Sequence, residues 1–162
     1  IGGTPEIVEH TGARVLSSAR EKPYIEGASL ARGARGWFPK VALTLNHMNR
    51  KREVPPIAVD GTLEHGETLR GLEVLAIPGH TPGQIALWHR ADGLLLTSDA
   101  FFNVSDSPSL DPVPGMTADT QAARDSLAVL QATGVEDHAP THGPAILGDG
   151  QAALQALRAE LD

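Results

Sequence analysis

The segment Pro78-Gly79-His80-Thr81-Pro82-Gly83 constrains this chain more than any other six residues in it. Each proline holds φ near about −65° and withholds a backbone N–H, while each glycine admits backbone shapes closed to other residues. Such a stretch continues neither a helix nor a strand, so it must be a stiff connection. The residues before it, Leu69 to Ile77, and after it, Ile85 to His89, read as strands. The connection presents one imidazole with little bulk beside it. That suits an exposed histidine in a hairpin turn and a metal ligand about equally, since neutral imidazole is the commonest nitrogen ligand of zinc.

Two later segments shift the balance. Leu94-Leu95-Leu96-Thr97 is an apolar run expected of a strand buried on both faces, and Ser98-Asp99 stands where it should end. An aspartate there either caps the next segment or ligates, and a carboxylate can offer one oxygen to each of two cations. Thr141-His142-Gly143-Pro144 follows a short strand expected near Asp137 to Ala139 and repeats the local logic of His80. His138 lies four residues before His142, a helical ligand spacing, but Pro140 between them argues against a helix and discounts the pair. Strand-end groups from separate parts of one sheet converge at one edge, where α/β proteins place their sites.

Composition narrows the chemistry. The 162 residues are expected to form one domain, spanning 1–162, with an α/β (α+β) fold. There is no cysteine, so any metal must be held by His, Asp or Glu. Thirteen basic against twenty acidic residues give a formal charge of −7, which argues against a nucleic-acid surface. No apolar run approaches the roughly 18 residues that span a bilayer, and without a targeting segment the cytoplasm is the expected compartment. Aromatic residues are only 4%, so the core must rest on Leu, Val, Ile and Ala.

The remaining pattern supplies the scaffold. Thr4-Pro5-Glu6 reads as a helix start with Thr4 as N-cap, ended by Gly12. Ala13 to Ser17 reads as a strand, and Ser18 to Glu21 as a capping box opening a second helix. Trp37, Val41, Leu45 and Met48 predict a helix over Trp37 to Arg50, followed by the solvated cluster Arg50-Lys51-Arg52. Ile57 to Val59 reads as a strand, and Ala91-Asp92-Gly93 as the turn between two others. Ala118 to Thr133 predicts an amphipathic helix with Leu127 and Leu130 inward and Gly134 past its end. Asp149 can cap a last helix carrying Leu154, Leu157 and Leu161. His10, His47, His65 and His89 read as surface or structural residues. Phe101 and Phe102 could line a pocket, with core packing the better use for at least one.

The order of the Pro-Gly-His-Thr-Pro-Gly turn, the strand-end Asp99 and the His142-Gly143-Pro144 segment resembles the metallo-β-lactamase fold superfamily. Val59-Asp60-Gly61 and Leu63 to Glu67 look like the strand and turn that precede this motif in the family. The resemblance implies an αββα sandwich in which His80 binds one metal, His142 a second, and Asp99 bridges them. One or two zinc ions are implied, with iron or manganese as variations, and a metal-bound water as nucleophile. The implied activity is hydrolysis of a small-molecule ester, thioester, lactone or related bond. The signature His-x-His-x-Asp-His motif is nowhere in the sequence, and in the family it stands directly before a stretch like Ile1-Gly2-Gly3. The expectation is therefore a domain short of strands at its N-terminus, a processed product or fragment that alone holds metal weakly and hydrolyses nothing usefully. A complementing N-terminal segment or a second copy of the chain are the expected macromolecular partners. The alternative reading is a binding or assembly module, without catalysis, derived from the same fold.

Overall fold

The structure is a computed structural model that describes residues 3–28, 56–104, 108–110 and 115–161. Among the described residues the larger sheet has five strands, in the order β3-β4-β5-β6-β7. These are β3 (Thr68–Leu69), β4 (Leu72–Ala76), β5 (Ile85–His89), β6 (Leu94–Phe102) and β7 (Asp137–His142). The first four are antiparallel neighbours, and β7 runs parallel to β6. A second sheet pairs β1 (Leu16–Ser18) with β2 (Gly61–Leu63) in parallel. Helices α1 (Thr4–Thr11) and α2 (Lys22–Ile25) flank β1 in the chain, and α3 (Thr120–Gln131) and α4 (Gly150–Leu161) flank β7.

The core lies between the larger sheet and the last two helices. Leu127 and Leu130 of α3 and Leu154 and Leu157 of α4 pack with Leu75, Ile77, Leu95 and Phe101. This is the apolar stripe expected of both helices, meeting the inward face of the strands. Asp119 caps α3, its side chain accepting from the N–H groups of Gln121 and Ala122. Phe101 is wholly buried in this core.

Several elements differ from the sequence expectations. Thr4 is the first helical residue and Gly3 the N-cap, without a side-chain cap bond, while Gly12 ends the helix in the left-handed region as expected. The strand expected over Ala13 to Ser17 is Leu16–Ser18. Ile57 and Val59 are buried but outside any strand, and pairing begins only at Gly61. Leu69 to Ile77 is a hairpin rather than one strand, because Arg70 and Gly71 adopt φ of 52° and 86° and reverse the chain. Leu94 to Thr97 alternates half-buried and buried residues, so only one of its faces is fully covered. The expected Trp37 to Arg50 helix, His47 and the basic cluster lie outside the described residues. Among the described residues no helix is long and apolar enough to cross a membrane.

Candidate metal centre

Three side chains from three separate parts of the larger sheet meet at one edge. His80 lies between β4 and β5, Asp99 within β6 and His142 at the last residue of β7. His80 Nε2 is 3.8 Å from Asp99 Oδ2, and His142 Nε2 is 3.4 Å from Asp99 Oδ1. The carboxylate therefore stands between two imidazoles and turns a different oxygen to each. His80 is buried, while His142 is open to solvent. Phe102 fills the space behind them, edge-on to the His80 ring and parallel to the His142 ring, both centroids at 5.6 Å.

Asp99 does not stand at a strand end, as its position after an apolar run suggested. β6 continues to Phe102, but its register with β7 shifts on both sides of Ser98. Ser98 itself has φ of 54°, a conformation rare outside glycine. Such an irregularity re-aims the next side chain, and here it turns Asp99 toward the two histidines.

The His80 turn is held from three directions. The carbonyls of Gly79 and His80 accept from the N–H groups of Asp119 and Ala118, which tie the turn to the start of α3. Ser126 Oγ donates to the Pro78 carbonyl at 2.7 Å. Ser18 Oγ donates to the Gly83 carbonyl, and Glu21 accepts from the Gly83 N–H at 3.0 Å. The capping box expected over Ser18 to Glu21 is thus half formed. Ser18 Oγ accepts from the Glu21 N–H, but the Glu21 carboxylate serves Gly83 instead of returning to Ser18. Gly79 must be glycine for space, because a Cβ there would overlap the Ala123 backbone of α3.

Thr117 fixes the His80 tautomer. Its hydroxyl donates to the Leu110 carbonyl at 2.9 Å, so its oxygen accepts from the His80 Nδ1–H at 3.3 Å. Nε2 is left unprotonated and faces Asp99, the arrangement that metal-ligating histidines adopt. Nothing in the sequence distinguishes Thr117, which lies 37 residues from His80. Thr117→Val is expected to erase the tautomer preference, seen as averaged ¹⁵N shifts of the two His80 ring nitrogens. It should also lower stability by about 1–3 kcal/mol, since the Leu110 carbonyl loses its partner. A ring that stays in the Nδ1–H form in this variant would rule the arrangement out.

The donor set fits a bridged pair of cations. Asp99 Oδ1 is buried and has no hydrogen-bond partner, which is costly for a carboxylate unless a cation completes it. Among the described residues, no three His, Asp or Glu side chains form a group that could hold one ion. Each imidazole faces a different oxygen of Asp99, so this arrangement would offer one nitrogen and one oxygen to each of two ions.

The other described histidines do not join the site. His138 is fully buried on β7, with Nε2 2.7 Å from Thr97 Oγ1 and its ring against Phe101. Burial lowers its pKa from 6.5 to about 4. His65 Nδ1 accepts from the Ala76 N–H, and His89 pairs with Asp92 at 2.8 Å. His10 bonds the Glu6 carbonyl one turn earlier in α1.

The family model for the metallo-beta-lactamase superfamily matches residues 1–142. The chain belongs to the metallo-β-lactamase superfamily. It is 27% identical over 168 residues to the "Probable metallo-hydrolase YflN" of Bacillus subtilis (strain 168), covering 90% of this chain and 60% of that protein. A di-iron-bound form of TTHA1623 matches with 27% identity and a TM-score of 0.67, over 94% of this chain and 68% of that one. The metallo-beta-lactamase family protein TTHA1429 from Thermus thermophilus shares the fold, with 24% identity, a TM-score of 0.66 and coverage of 96% and 55%. The mono-zinc form of FIM-1 from Pseudomonas aeruginosa does so at 17% identity and 0.60, covering 98% and 61%. This chain therefore spans about three-fifths of the length of the curated relative it matches.

Proposed function

We propose that this protein is a metal-dependent hydrolase of a small-molecule ester, thioester or lactone, in which His80, Asp99 and His142 supply one side of a two-metal centre. The observation that carries the reading is the Asp99 carboxylate, placed between two Nε2 atoms with one oxygen lacking any hydrogen bond. His80 would hold one ion, His142 the other, and Asp99 would bridge. Zinc is the expected occupant, and the di-iron and mono-zinc forms of the relatives keep both metals in play. Bound divalent cations supply Lewis acidity and lower the pKa of water toward about 7.

The protein's own part is orientation and exclusion. Thr117 keeps the His80 Nε2 lone pair available, and the Ser98 irregularity keeps Asp99 turned outward. Phe102 shields the rear of both rings. A cavity of about 420 Å³ opens beside His80 and Asp99, with Leu16, Tyr24, Ile25 and Ile85 in its wall. That volume and lining suit a small, partly apolar substrate.

Among the described residues, one histidine and a shared carboxylate per ion fall short of the three ligands usual for zinc. The 162 residues alone are therefore expected to bind zinc weakly and to leave esters, thioesters and lactones intact. Titration with Zn²⁺, followed by NMR, is expected to move His80, Asp99 and His142 together at millimolar rather than nanomolar metal. Signals of His80 and His142 that ignore Zn²⁺ altogether would refute the centre. One or two ions retained through gel filtration, with ester hydrolysis abolished by His80→Ala, would overturn the weak-binding reading.

A further inference from the structure

We propose that Gln84 is a positioning residue, holding Asp99 in place against His80; the inference rests on the reading of these two side chains as parts of one metal centre. Gln84 follows the Pro-Gly-His-Thr-Pro-Gly turn directly, and its side chain is buried. Its backbone closes the turn: its carbonyl accepts from the Ile77 N–H at 2.9 Å, and its N–H donates to the Thr81 carbonyl at 3.4 Å.

The side chain reaches the other ligand. With its amide oxygen toward β6, Gln84 accepts from the N–H of Asp99 at 2.9 Å and from that of Ala100 at 2.8 Å. The opposite amide orientation aims an NH₂ group at these two donors and gains only the Thr81 N–H at 3.3 Å. Two short bonds outweigh one long one, although the amide NH₂ then takes the place beside the Thr81 N–H.

The strand needs this support at that point. The β5–β6 register ends at Leu87 and Leu96, and the β6–β7 register skips from Ser98 to Phe102. Asp99 and Ala100 fall in the unregistered interval. The partner of Ser98 is Pro140, which has no N–H to give. Ser98 meanwhile holds a positive φ that is strained for a residue with a side chain and persists only where the surroundings impose it. One amide oxygen thus replaces the missing strand across the break. Because the backbone of the same residue closes the His80 turn, the separation of His80 and Asp99 is set within a single residue.

The test uses the metal-free chain, so it stands apart from the metal reading. Gln84→Met keeps length and burial but removes the acceptor. Gln84→Glu keeps two oxygens able to accept from both N–H groups. Amide hydrogen exchange at Asp99 and Ala100 is expected to speed up about tenfold or more in Gln84→Met, with Val74 and Leu95 unchanged. The nuclear Overhauser contact between the His80 ring and the Asp99 β-protons should weaken in the same variant. Gln84→Glu should restore both. Unchanged exchange at the two amides in Gln84→Met overturns the proposal. So does faster exchange with the His80–Asp99 contact intact, or with no recovery in Gln84→Glu. A failed metal centre would instead appear as indifference of the wild-type His80 and His142 rings to Zn²⁺.

Discussion

Gly143→Ala is expected to cost about 3–5 kcal/mol and to move His142 away from Asp99. Gly143 has φ of 93°, a region that L side chains rarely enter. The greater obstacle is steric. A Cβ there would overlap the carbonyl of Asn103, which is backbone and cannot swing aside. Relieving the overlap separates Asn103 from β7 and breaks two bonds at once. These are the Asn103 N–H to the His142 carbonyl at 3.0 Å, and Asn103 Nδ2 to the Pro144 carbonyl at 2.9 Å. Urea unfolding of wild type and variant measures the cost. A loss below about 1 kcal/mol, with the His142 ring environment unchanged, would mean that this close approach does not exist in solution.

Acid is expected to destabilise the fold through His138. The imidazole is fully buried, with one nitrogen on Thr97 and Nδ1 without a hydrogen-bond partner. Burial holds its pKa at about 4, against 6.5 in the open chain. The unfolded chain thus takes up the proton first as pH falls. Its contribution is complete above about pH 6.5, lost progressively between 6.5 and 4, and unchanging below that. The full loss is roughly 3 kcal/mol, at about 1.4 kcal/mol per pH unit. His138→Gln keeps a partner for Thr97 but cannot titrate. Unfolding free energies at pH 7 and pH 4.5 should converge in the variant and diverge in wild type; equal pH slopes in the two proteins would sink the assignment.

His80 and His142 stand out in the sequence because their neighbours are conformational extremes. Proline and glycine around His80, and glycine and proline after His142, leave few backbones to choose from. The larger sheet is legible for a related reason: Ile85 to His89 and Leu94 to Thr97 alternate or run apolar with turn residues between them. What escapes is non-local. Thr117 and Gln84 act across 37 and 15 residues through hydrogen bonds, and neither stands in a pattern that announces it. The Arg70-Gly71 reversal is hidden because positive φ at arginine has no compositional mark. Asp99 reads as a strand end because an irregular strand and a finished one look alike in sequence.

The parallel pairing of β6 with β7 has a consequence for the order of assembly. Antiparallel neighbours can zip from a short hairpin, but parallel ones need a crossover, here the stretch through α3. Asp99 and His142 therefore meet only after some forty residues between them have found their places, whereas the His80 turn leads directly into β5, the antiparallel neighbour of the strand that carries Asp99. Closure over that distance is slow, and its entropy must be offset by docking of α3 and α4 on the sheet. A chain emerging during synthesis presents its histidines singly, and the bridged arrangement forms as the last helices dock. On the proposed reading, a metal would then be taken up after folding instead of seeding it.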